Sequence, residues 1–94
     1  MALGDRVKSN RQDATVIAQL VAALADSDES IRWLAGSALG LLGGATVVQT
    51  LAAFLAQAPA PAARDEAVKA LQRIVDNPRE EEAVREMAKE LLGE

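Results

Sequence analysis

The sequence predicts an all-α fold, a short stack of about five helices paired into hairpins. Three observations carry that prediction. Half of the 94 residues are hydrophobic, yet Trp33 and Phe54 are the only aromatic ones. The core is therefore built from Leu, Ile, Val and much Ala, a composition that favours helix over strand. The apolar residues recur at helical spacing along the chain. Finally, two different helical patterns each return at nearly the same interval, the mark of a hairpin repeat.

Val16-Ile17-x-x-Leu20-x-x-Ala23-Leu24 returns 31 positions on (16 to 47) as Val47-Val48-x-x-Leu51-x-x-Phe54-Leu55. Arg32-x-x-Ala35-x-x-Ala38-Leu39-x-x-Leu42 returns 32 positions on (32 to 64) as Arg64-x-x-Ala67-x-x-Ala70-Leu71-x-x-Ile74. A partial third copy, Arg85-x-x-Ala88-x-x-Leu91-Leu92, follows only 21 positions later (64 to 85). That leaves no room for a first helix, so the last helix is expected to close the stack. Small residues such as Ala35, Ala38, Ala67, Ala70 and Ala88 let helices of adjacent layers approach closely.

Each element has local signals. The first helix is expected over 13–26, capped by Asp13 or Thr15. "SDES" is a turn, and Asp28 caps a second helix over 31–42, with Gly43 in the left-handed C-terminal position. Thr46 and Gln49 have capping-box spacing and open a third helix to about Gln57. Pro59 and Pro61 break the chain before a fourth helix over 63–75. Asn77 caps the fifth helix, Pro78 takes its first position, and Glu80 to Glu82 favour its positive dipole end. It ends near Leu92, before Gly93. The expected organisation is an N-terminal segment over 1–12, short helix or flexible, then one domain over 13–94. Its units are about 13–43 and 44–76, with a capping helix over 78–92.

The stretches "LVAALADSDESIRWLAGSALGLLG" and, more weakly, "LAAFLAQAPAPAARDEAVKALQRI" resemble the HEAT repeats, in particular the HEAT-like repeats of the phycobilisome lyase type. The resemblance implies a right-handed α-solenoid, an α-α superhelix of HEAT-like hairpins. Asp26, Asp28, Ile31 and Arg32 match the family's acidic turn and the Arg that follows it. In the family these residues tend to link neighbouring repeats, which implies a structural ladder of Asp26, Asp28, Arg32, Arg64 and Arg85. The second unit departs from the motif, with Gln57 and Ala58 where the acids belong. In such stacks the second helices line a concave side where ligands often bind, which implies a candidate partner groove of Trp33, Ser37, Asp65, Lys69, Gln72 and Glu86.

Several function classes fall away on composition. Ten cations against fourteen acids give a net charge of −4, so nucleic acid is not an expected partner. Arg6, Lys8 and Arg11 make the one local basic cluster. The chain has no histidine or cysteine, which removes the commonest general base and metal ligands and leaves Ser37 without an activating base. "GLLGG" lacks the Lys-Ser/Thr of a phosphate loop. No enzyme activity, cofactor or metal is expected. "MALGDRVKSNRQD" has no apolar run of signal-peptide length, so a cytoplasmic location is expected. The uncharged run Trp33–Leu55 is long enough to span a bilayer, and Gly36-x-x-x-Gly40-x-x-x-Gly44 mimics a membrane packing motif. Gly43-Gly44 splits that run, however, and each half matches a charged repeat copy, so two water-soluble helices and no membrane are expected.

The expected function is a protein–protein interaction or assembly module, with an outside protein partner or a homodimer. The alternatives are an accessory subunit of a lyase- or chaperone-type complex, as the resemblance implies, and a nucleic-acid-binding HEAT-like protein. The third helix leaves Thr46, Gln49, Thr50 and Ala53 opposite its core stripe, a face poor in charge and hence the candidate oligomer face. Trp33 either anchors a partner or closes the core against Val7 or Leu3; the second is the expectation, because Trp is usually well buried.

Overall fold

The computed structural model describes residues 14–93. The expected 1–12 segment, its basic cluster, the Asp13 cap and the Trp33 contacts with Leu3 and Val7 lie outside the described residues. Within them the chain is all-helical: α1 over 14–23, α2 (Glu29–Leu42), α3 (Gly44–Ala56), α4 (Pro61–Asp76) and α5 (Glu82–Leu92). No strand occurs among the described residues. α2, α4 and α5 lie side by side in that order, and α3 packs across α4 and α5.

One core joins the helices. Ile17, Val21 and Leu24 of α1 meet Ala35 and Leu39 of α2, and Val47, Val48 and Leu51 of α3. Ala67, Ala70, Leu71 and Ile74 of α4 continue it to Val84 and Ala88 of α5. The two repeated stripes supply most of this core, though Val21 and Val84 lie outside them and Leu42 of the second stripe is exposed, and alanines at the layer contacts keep the helices close. The Val, Leu and Ile side chains gain roughly 1.5–3 kcal/mol each on full burial.

Several helix ends differ from the expected ones, each for a physical reason. Asp28 does cap α2, its carboxylate accepting the Ser30 N–H at 2.8 Å. Thr15 and Thr46, by contrast, sit inside helices. α3 begins two residues before Thr46, at Gly44, because Gly43 alone separates it from α2. Gly43 has φ 60° and ψ −161°, a conformation open to glycine but not to residues with a Cβ. Pro61 does not break a helix; it starts α4, where its missing N–H costs nothing.

Pro78 likewise is not the start of α5. Residues 78 and 79 form a turn, with the Asn77 side chain accepting the Arg79 N–H at 2.9 Å, and the helix begins only at Glu82. Glu80 then serves a different helix. Its carboxylate accepts the Gly44 N–H at 3.0 Å and so caps the N-terminus of α3. A Cβ at Gly43 would collide with that carboxylate.

Two glycines of the membrane-like motif pack within the chain. Gly36 and Gly40 turn toward α4, where a Cβ would lie 3.1 Å from a Glu66 carboxylate oxygen and 2.8 Å from the Arg73 Cβ. They let α2 and α4 approach one another. No helix among the described residues is long and apolar enough to cross a membrane.

Candidate interaction surface

The turn between α1 and α2 is held by its own residues. Asp26 accepts the Asp28 N–H at 2.8 Å, and Asp28 accepts that of Ser30. Arg32, one turn into α2, donates to the backbone carbonyls of Asp26 at 2.9 Å and Ser27 at 3.1 Å. The side chain therefore seals the turn of its own unit.

The implied ladder between repeats does not form among the described residues. Arg64 is exposed and Arg85 half-buried; the Arg85 Nε is buried without a hydrogen-bond partner. The ion pairs that do occur, Lys69 with Glu66 at 3.8 Å and Lys89 with Glu86 at 3.3 Å, run along single helices. The reason is visible in the second turn: Gln57, Ala58, Pro59 and Ala60 replace the acids, and the chain bends there through Ala58 at φ 54° instead.

The groove residues are only partly brought together. Trp33 and Lys69 line one open depression of about 470 Å³ between α2 and α4, along with Glu29, Ser30, Leu34 and Glu66. Ser37, Asp65, Gln72 and Glu86 do not line it. Ser37 and Gln72 are half-buried, and Gln72 donates along its own helix to Asp76 at 3.2 Å. Asp65 and Glu86 are exposed, the latter paired with Lys89.

Trp33 is 53% exposed, and its expected contacts with Leu3 and Val7 lie outside the described residues. The floor of the depression is Glu66, only 8% exposed, with one carboxylate oxygen buried without a hydrogen-bond partner. Sequence reasoning passed over Glu66, although the repeat offered a signal. Glu66 stands 32 positions after Leu34 (34 to 66), so one unit carries an acid where the other carries an apolar residue.

On α3, Thr46, Gln49 and Ala53 are exposed and Thr50 is half-buried. The Thr50 hydroxyl donates to the Thr46 carbonyl at 2.7 Å. This outer face is neutral, as expected, but no large apolar side chain stands exposed on it. Apart from Leu91 of α5, those among the described residues lie on α2: Ile31, Trp33, Leu34, Leu41 and Leu42.

Helical hairpins stacked in series around one core make this chain a short helical solenoid. It matches the sequence profile of the HEAT repeats over residues 1–72 and again over 17–94. The chain belongs to the HEAT-repeat family. The match is to the family as a whole and does not single out the phycobilisome lyase type. Neither the curated proteins nor the solved structures compared with the chain give a match. HEAT repeats are commonly protein-interaction scaffolds.

Proposed function

We propose that this chain is a non-enzymatic protein-binding module whose partner docks on the α2/α4 surface around Trp33. The observation that carries this reading is an exposed Trp beside an open depression with charged groups at its edge and floor. A Trp of that exposure offers a large rigid contact at low entropic cost, and binding hot spots are enriched in it. Glu29, Glu66 and Lys69 supply polar groups that orient a bound segment. Ser37 and Gln72 extend the same surface along the two helices, and Asp65 and Glu86 stand as its outlying polar members. Net charge disfavours a phosphate backbone as the occupant.

The test is partner capture from the native cell with three forms of the full chain: wild type, Trp33→Ala and a Gln49→Ala control on α3. Proteins held by wild type and control but lost by Trp33→Ala support the reading. Trp33 is the single Trp, so its fluorescence should also shift to shorter wavelength when a captured partner is added back. Equal retention by all three forms places the binding surface elsewhere.

A further inference from the structure

We infer that the free flank of α2 is a docking surface for a second copy of this chain, joined flank to flank across a two-fold axis. The inference goes beyond the proposed function, which concerns an outside partner at the α2/α4 depression; the two surfaces meet at Leu34. The repeat itself identifies the surface. Ile31, Leu34, Ala38, Leu41 and Leu42 occupy the positions that Ala63, Glu66, Ala70, Arg73 and Ile74 occupy 32 residues later (31 to 63). In α4 that flank is the stacking face. Ala63, Glu66, Ala70 and Ile74 are buried, and Glu66 and Arg73 lie against Gly36 and Gly40 of α2. Among the described residues the equivalent flank of α2 is open, with Ile31 40%, Leu34 59%, Leu42 52% and Leu41 84% exposed. A stacking face this apolar and this exposed is a contact surface awaiting an occupant.

Two features select a second α2 as that occupant. Ile31, Leu34, Ala38 and Leu41 follow the three-four spacing of a two-helix seam, with large side chains flanking a small central one. Such a seam is complementary to itself, as a two-fold contact requires. The opposite arrangement, the far end of one copy stacked on α2 of the next, is disfavoured by charge. α5 exposes Glu82, Glu86 and Glu90, and covering them with Leu34 and Leu41 desolvates carboxylates without pairing them. Association therefore closes at two copies and does not propagate into a filament. The 14 residues of α2 give a seam about 21 Å long.

The experiment is sedimentation of the full chain from low to high micromolar concentration, with variants and cysteine cross-linking. Wild type is expected to dimerise. Leu34→Glu with Leu41→Glu is expected to weaken dimerisation about a hundredfold or more, since each dimer buries the new carboxylates twice. Both positions are exposed in one chain, so its circular dichroism should not change. Thr50→Lys with Ala53→Glu, on the α3 face, should leave the dimer intact. The chain has no cysteine of its own, so Leu34→Cys or Ala38→Cys should form a disulfide-linked dimer on mild oxidation, and Ala53→Cys should not. A wild type that stays monomeric at high micromolar concentration overturns the inference. So does dimer loss in the α3 variant, or cross-linking through Ala53→Cys alone. A monomer whose melting temperature falls with the Leu34/Leu41 pair also overturns it, because the flank is then covered from within the same chain.

Discussion

The two outermost helices of the described stack, α2 and α5, finish it in opposite ways. α5 turns Glu82, Glu86 and Glu90 to solvent and presses Val84 and Ala88 into the core. The turn before it sends Glu80 back to cap α3, so this end is tied down as well as polar. α2 presses Ala35, Gly36, Leu39 and Gly40 inward and leaves Ile31, Leu34, Leu41 and Leu42 outside. One end is a cap and the other a contact face. The difference teaches that position in a repeat does not fix burial. Leu42 and Ile74 are the same residue of the repeat, one half exposed and the other fully buried, because α2 packs against α4 over Ile74, whereas Leu42 stands in an open depression beside Val16 and Ile17 of α1.

That pair of residues gives the largest expected effect. Ile74→Ala removes a side chain with no solvent exposure from the core. It should destabilise the protein by about 2–5 kcal/mol, transfer and cavity terms together. Leu42→Ala, at the equivalent place on the open end, should cost less than about 1.5 kcal/mol, because half of the side chain is already in water. Chemical denaturation at low protein concentration measures both. Equal losses would erase the distinction between the two flanks.

Next in size is the glycine contact between them. Gly40→Leu places a branched side chain where the Arg73 side chain already lies, 2.8 Å from its Cβ. Overpacking of this kind should cost about 1–3 kcal/mol. An unchanged denaturation midpoint would mean that α2 and α4 separate easily, and that the α2/α4 depression is no fixed surface.

The polar end can be loosened too. Glu80→Ala strips the N-terminus of α3 of its carboxylate partner and should cost about 0.5–2 kcal/mol, the range for loss of an N-terminal cap. Hydrogen exchange should register the loss first at Gly44 and Ala45. Protection unchanged at those amides would show that Glu80 is not what holds that end closed.

What the sequence disclosed follows from the range of each interaction. The helices and their pairing were legible because apolar spacing and the repeat interval are local or periodic signals; Val47, Val48 and Leu51 are buried where the first copy predicts. The Asp28 cap was legible for the same reason, its partner lying two residues away. Glu80 was misassigned to α5 because its partner, Gly44, is 36 residues distant in sequence and adjacent only once the stack forms. Gly36 and Gly40 had the right spacing for close helix contact but gave no hint that the neighbour is α4 of the same chain. For the candidate surface, the implied groove included Trp33 and Lys69 but not Glu66, whose burial against the glycines opposite is a contact between helices that the repeat alone does not show.

The smallest expected effect is the sharpest probe of the open end. Leu41 is the most exposed of the described large apolar residues, at 84%, and it sits at the position Arg73 takes in the covered unit. In a dilute, monomeric chain it has almost no contacts to lose, so Leu41→Ser should change stability by no more than about 0.5 kcal/mol. At high protein concentration the same substitution should matter more. If α2 is covered by a second copy, mass action raises the apparent stability of the wild type as concentration rises. The serine variant should lose most of that rise. Melting curves of both chains across a wide concentration range therefore separate two kinds of apolar residue that look alike in the sequence. Parallel, concentration-independent curves would mean that Leu41 is an idle surface leucine. Curves that converge on dilution and part at high concentration would mark it as an interface residue, and the end of the stack opposite α5 as the one that is completed from outside.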